Sequence, residues 1–337
     1  MPRHALFVLV LALVAAAPAA ADVWEKTYPV TGRPQFVLQT DDASVHVTPW
    51  DRAAVGVRVT THGWSIGPRG ISVTARQDGA RVECEVREPR FHWSFNFGAR
   101  WTRIEVMLPR DADVDIATGD GSVSLGPLAG AIHVHSGDGN IRAEGVRGEM
   151  NLSTSDGHIE GTGLDGALQA RSGDGGMRLE GRFDRLEAST SDGRIEATAL
   201  EGSRLASGWI LRSGDGSLTL RVPRTLPADL DLHSGDGSVW VGLPVETSGG
   251  FRSHTLRGRM NGGGPLLEMH TSDGRIRLEA LPGSALEAAP APPAPAPSRI
   301  APAPPAPRAT PAPRTPRAAP KPPKRAAPAP DTTGVEA

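Results

Sequence analysis

Beyond residue 111 the chain repeats one arrangement of apolar and polar positions. Aligned on Asp120, Asp138, Asp156, Asp174, Asp192, Asp215, Asp236 and Asp273, the third residue after each aspartate is apolar: Val123, Ile141, Ile159, Met177, Ile195, Leu218, Val239 and Ile276. The sixth residue before each is also apolar, from Val114 and Ile132 through Trp209 and Leu230 to Leu267. Positions four before and five after are apolar or small, as in Ile116, Ala170, Leu125 and Gly161. Alternate apolar residues on both sides of a polar turn predict two short strands per unit, each with one face inward.

The turn itself is Ser/Thr-(Gly/Ser)-Asp-Gly. Its first five aspartates are spaced by 18 residues, and the later steps are 23, 21 and 37. A short fixed period with one turn per unit is the signature of a stacked repeat, because one coil cannot bury its own apolar face. The predicted fold is therefore all-β, a parallel β-solenoid of about 18-residue coils. The extra residues near 203–209 and 245–264 read as loops leaving the stack, and the step of 37 as nearly two periods with the middle turn lost. The structural role expected for the eight aspartates and the preceding Ser/Thr is to hydrogen-bond the turn backbone, with the following glycine at positive φ.

Outward positions agree with the same register. Four residues after the aspartate stand Arg142, Glu160, Arg178 and Glu196, an alternating-charge ladder if the coils stack. Three residues before it stand His135, Arg171, Arg212, His233 and His270, with small residues between some of them. These five are candidate binding residues, forming a shallow basic stripe suited to an anionic polysaccharide.

Residues 22–110 alternate as ordinary strands, for example Val45-His46-Val47 and Val82-Glu83-Cys84-Glu85-Val86, and read as an N-terminal β cap before a solenoid over residues 111–286. Within the cap, Phe91, Trp93, Phe95 and Phe97 share one strand face. They suit either the core or an exposed aromatic ribbon, so Phe91 and Trp93 join the candidate binding residues.

Both ends differ in kind from the repeats. Arg3 precedes an apolar run from Ala5 to Ala17, then Pro18 and Ala19-Ala20-Ala21. This is a signal peptide over residues 1–21, expected to be cleaved after Ala21, and the mature chain is expected in the periplasm or outside the cell. No later apolar stretch is long enough for a transmembrane anchor. Residues 287–337 are rich in Ala and Pro and read as a disordered, polyproline-like tail.

The net charge of −2 hides a division. Residues 22–286 hold 28 Lys+Arg against 35 Asp+Glu, whereas the tail holds seven against three. The acidic folded part is a poor partner for nucleic acid, while the basic tail suits an anionic surface.

Candidate chemistry is sparse. The lone Cys84 excludes an intramolecular disulfide and a cysteine-based zinc site, and its apolar neighbours make it an inert core thiol. No zinc-binding His-Glu-x-x-His, nucleophile elbow or phosphate loop occurs. One aspartate per coil falls short of the 6–8 oxygens calcium takes, so no metal and no cofactor are expected.

With the repeats in view, the chain resembles a bacterial family known as putative adhesins. The resemblance spans about residues 35–281. It rests on Val106-Met107-Leu108-Pro109, Asp113-Val114-Asp115-Ile116, the repeated turns, and the segment from Gly262-Gly263-Gly264-Pro265 to Arg275-Ile276. It implies an exported envelope β-solenoid of unknown biochemical function. The expectation is a non-enzymatic binding or scaffolding module with an envelope polysaccharide or protein as partner. The alternatives are a polysaccharide lyase or hydrolase on a solenoid face, and a calcium-stabilised surface module.

Overall fold

The computed structural model describes residues 21–89, 100–247 and 253–283. Residues 1–20, within the expected signal peptide, the segment with Phe91 and Trp93, and the proline-rich tail lie outside them. The first strands are β1 (Asp22–Pro29), β2 (Gln35–Thr40), β3 (Ser44–Pro49), β4 (Ala54–His62), β5 (Ser72–Asp78), β6 (Arg81–Arg87) and β7 (Trp101–Leu108). The repeats supply β8 (Asp113–Thr118), β9 (Val123–Leu125), β10 (Ala129–Ser136), β11 (Ile141–Glu144), β12 (Arg147–Thr154), β13 (Ile159–Ser172), β14 (Met177–Thr190) and β15 (Ile195–Ala199). The last part contains β16 (Trp209–Ser213), β17 (Leu218–Val222), β18 (Ala228–Ser234) and β19 (Val239–Val241). It ends with β20 (Glu246–Thr247), β21 (Thr255–Met260), β22 (Leu266–Thr271) and β23 (Ile276–Ala280).

Parallel pairing on two faces arranges these strands into coils. The stack runs β6–β7, β2–β3, β8–β9, β10–β11, β12–β13, β13–β14, β14–β15, β16–β17, β22–β23, β18–β19. The long β13 and β14 wrap from one face to the other, so each serves two coils. The fold is the expected β-solenoid, with successive strands about 4.8 Å apart.

Between the turns its interior is mainly apolar. On the first face Leu38, Ile116, Val134, Leu152, Ala170, Ala188, Leu211, Met269 and Leu232 form one buried column. A second column carries the largest buried side chain, Trp209, whose ring meets Phe183 edge-on at 6.3 Å. Each large inward side chain contributes about 1.5–3 kcal/mol on burial. Shifting a strand by one residue would expose its whole inward set.

The turns are joined by buried hydroxyls. Ser136, Thr154, Ser172, Thr190, Ser213, Thr271 and Ser234 are all buried. Each donates to the carbonyl of the turn glycine in the preceding coil, at 2.8–3.2 Å. All but Ser234 also accept from the N–H of the glycine three residues on, at 2.9–3.3 Å. One side chain thus satisfies two buried backbone groups, across and within the turn.

Two details of the expected turn are corrected. The glycine after each aspartate does not have positive φ. It is required because a Cβ on Gly139, Gly157, Gly175 or Gly193 would overlap the carbonyl oxygen of the coil below. The aspartates are all exposed, and among the described residues none of the eight carboxylates hydrogen-bonds the turn or forms an ion pair. The hydroxyl organises the turn, and the carboxylate points to water.

Two further expectations change. Part of the segment assigned to the cap is solenoid, because β2–β3 and β6–β7 are coils of the stack. Thr40-Asp41-Asp42-Ala43 is the turn of one of them, with Ala43 in place of the glycine. Nor does the step of 37 residues hide a coil with a lost turn. It holds β21, which runs antiparallel along β18, while β22–β23 inserts between β16–β17 and β18–β19.

Antiparallel strands cover the ends. β5 lies along β6, β4 along β7 and β1 along β4, while β21 borders β18. At the last turn the Gly237 carbonyl receives Nδ1 of His254 instead of another hydroxyl. At the first, the Asp41 carboxylate takes the Arg87 side chain and the Glu88 N–H, both within 2.9 Å.

Thr154→Val keeps the side-chain shape but strands the Gly157 N–H and a carbonyl of the coil below, and should cost about 1–3 kcal/mol. Asp156→Asn in the same turn should change stability by less than about 0.5 kcal/mol. Denaturant titration of both variants checks the pair.

Candidate functional site

Because the core is filled, the usable chemistry lies on the outward columns. On the first face the expected stripe runs Ala117, His135, Ser153, Arg171, Ser189, Arg212, His270, His233. The insertion of β22 places His270 between Arg212 and His233, which chain order does not suggest. The imidazoles of His270 and His233 stack with centroids 5.1 Å apart, and His233 Nδ1 lies 3.0 Å from the Thr255 hydroxyl.

The arginines of this stripe are already engaged. Arg171 meets Glu187 at 2.7 Å and Arg212 meets Glu268 at 2.7 Å. Burial opposes ionisation of Glu187, but a hydrogen bond from Gln169 and the charges of Arg171 and Arg185 outweigh it and hold the carboxyl below its ordinary range. His135 faces the Ser153 hydroxyl at 3.0 Å. The stripe is brought together as a column, but its positive charge is largely compensated. Phe91 and Trp93 lie outside the described residues.

The second face carries the charge ladder. Arg142 pairs with Glu160 at 2.7 Å and Arg178 with Glu196 at 3.3 Å, through strands in direct register. These exposed pairs are worth about 0.2–1 kcal/mol each. The ladder changes character at the next coils, where Thr219, Arg277 and Trp240 follow in space. Arg277 and Trp240 also stand four residues after an aspartate, but the order Thr219, Arg277, Trp240 was not legible, because it depends on the inserted coil.

Along the turn edge, Asp42, Asp120, Asp138, Asp156, Asp174, Asp192, Asp215, Asp273 and Asp236 form an exposed acidic row. Among the described residues no three His, Cys, Asp or Glu side chains are grouped to hold a metal ion. Adjacent carboxylates repel by about 1 kcal/mol in water. Cys84 is buried among apolar residues, and burial, reinforced by Glu85, pushes its thiol from 9.0 up to about 12.

Stacked coils of parallel strands, a sealed apolar core and turns joined by hydroxyls define a β-solenoid repeat protein. Among the described residues, no helix is long and apolar enough to cross a membrane. The sequence matches the Toastrack DUF4097 family over residues 35–279, and the chain belongs to that family. No curated protein matches it. Among solved structures it is similar to a putative cell adhesion protein from Clostridium sporogenes, with 11% identity, 77% of this chain and 100% of that one covered, and a TM-score of 0.26. A putative lipid binding protein from Parabacteroides distasonis shares 12% identity over 76% of this chain and 96% of its own, with a TM-score of 0.44. A putative adhesin from Parabacteroides merdae shares 10% identity over 77% and 96%, with a TM-score of 0.39.

The environment of Cys84 makes a direct prediction. A thiol at about 12 holds almost no thiolate at pH 8, so Ellman's reagent should label it only after denaturant unfolds the chain. Because the folded value is raised, its stabilisation is complete below pH 9 and is lost as pH rises toward 12.

Proposed function

We propose that this chain is a non-enzymatic, exported cell-envelope protein that binds or scaffolds a partner through the outer face of its β-solenoid. The observation that carries the reading is the contrast between a packed apolar core and outward rows made mostly of polar side chains. Among the described residues the core is packed with apolar side chains, which supports recognition on the surface. The partner is an envelope polysaccharide or a protein. Export is supported by the basic start, the apolar run from Ala5 to Ala17 and the small residues before Asp22. The basic tail adds a second means of contact with an anionic surface.

Catalysis is the weaker reading, since the turn aspartates stand one per coil and many other outward acids are paired with arginine. Glycoside hydrolysis ordinarily uses a facing pair of carboxylates at defined separation.

Purified protein mixed with envelope polysaccharides, peptidoglycan included, should be retained on at least one of them without releasing soluble fragments. Release of products would overturn the non-enzymatic reading.

A further inference from the structure

The second face ends in a hollow that the charge ladder does not fill. Two adjoining depressions, of about 790 and 360 Å³, share Ser238, Arg275, Arg277 and Glu279. Arg277 occupies the ladder column, but its neighbours there are Thr219 and Trp240, so it has no glutamate beside it in that row. Arg275 stands two residues earlier, and its own N–H meets the Ser217 hydroxyl. Among the described residues neither guanidinium forms an ion pair, whereas Arg221 nearby is tied to Glu279 at 3.2 Å.

Trp240 supplies the other half of the hollow. It is 52% exposed, in the middle of β19, where the preceding Val239 is buried. Its ring lies along the strand over Gly242, and a Cβ on Gly242 would come within 2.5 Å of the indole. The missing side chain at 242 therefore lets the ring lie there. The half-exposed indole presents a flat apolar face beside two guanidinium groups that have no ion-pair partner among the described residues.

We propose that this hollow is a binding site for an acidic glycan, with a sugar ring stacked on Trp240 and its carboxylate held by Arg275 and Arg277. This deepens, and rests on, the reading of the chain as a binding module. Arginine suits a carboxylate because its planar fork can make two parallel hydrogen bonds. The rim favours a sugar over a simple polyanion. Asp215, Asp236 and Asp273 border the hollow and accept hydrogen bonds from sugar hydroxyls, which a phosphate chain does not offer. Ser217 and Thr219 offer further hydroxyl partners.

The test is affinity electrophoresis of the full chain and three variants, Trp240→Ala, Gly242→Ala and Arg275→Gln/Arg277→Gln, through gels holding polygalacturonate, dextran or polyphosphate. Polygalacturonate should retard the parent chain more strongly than polyphosphate, which the basic tail alone can engage, and dextran should not retard it. Every variant should lose about tenfold or more in affinity at unchanged melting temperature, the equivalent of about 1.4 kcal/mol. Gly242→Ala retains both arginines and the indole, so its loss reports the ring's placement and not a change in charge. Polygalacturonate binding unaffected in all three variants would overturn the site while leaving the binding module intact. No retardation by polygalacturonate, or equal retardation by polyphosphate, would overturn the acidic-glycan assignment. The retention experiment on envelope polysaccharides judges the broader reading separately.

Discussion

A buried hydroxyl in each turn is the constraint on which the stack depends. A parallel solenoid must bring successive turns close enough for strands to pair, which presses backbone on backbone where no regular ladder exists. Buried backbone groups in such a place need partners. Ser and Thr supply them across coils, and the glycine that follows leaves room for the carbonyl of the coil below. Once these two residues are set, the alternating strands on either side have one register that buries their apolar set. The aspartate between them is free of structural duty in the turn, which is why an acidic row can run along the edge.

The same constraint permits coils to be added out of chain order. β2–β3 sits between β6–β7 and β8–β9, and β22–β23 sits between β16–β17 and β18–β19. The turn chemistry is local to each pair of neighbours, so it does not depend on which coil was made first. Insertion brings a returning segment to each end, and antiparallel strands there border the outer strands of the first face, β6 and β18. Such covering limits edge-to-edge pairing between molecules. The inserted coil also creates the surface chemistry of the C-terminal end, since it places Arg277 beside Trp240 and His270 beside His233.

Much of this fold was legible in the sequence. The 18-residue period, the inward columns and the Arg142–Glu160–Arg178–Glu196 row all follow from side-chain alternation, which is a local property. Chain reversal was not legible from spacing, because parallel partners need not be sequential. A subtler signal was present. From Thr118 the turns alternate Thr with Ser as their hydroxyl residue, and in chain order the pattern fails at Ser213 and Ser234. In spatial order, with Thr271 between them, it is unbroken. The Thr40 coil was hidden for a different reason, since Ala43 replaces the glycine that marks every other turn of this type. The binding stripe was legible as a column but not as a site, because the glutamates that engage Arg171 and Arg212 come from neighbouring coils.

Amide hydrogen exchange, followed residue by residue, tests the hydroxyl column most directly. The N–H groups of Gly139, Gly157, Gly175, Gly193, Gly216 and Gly274 lie in turns, where exchange is ordinarily fast. If the column holds the coils together, these amides exchange as slowly as the core strand amides, through global unfolding alone. Exchange at the rate of exposed loop amides would contradict the account.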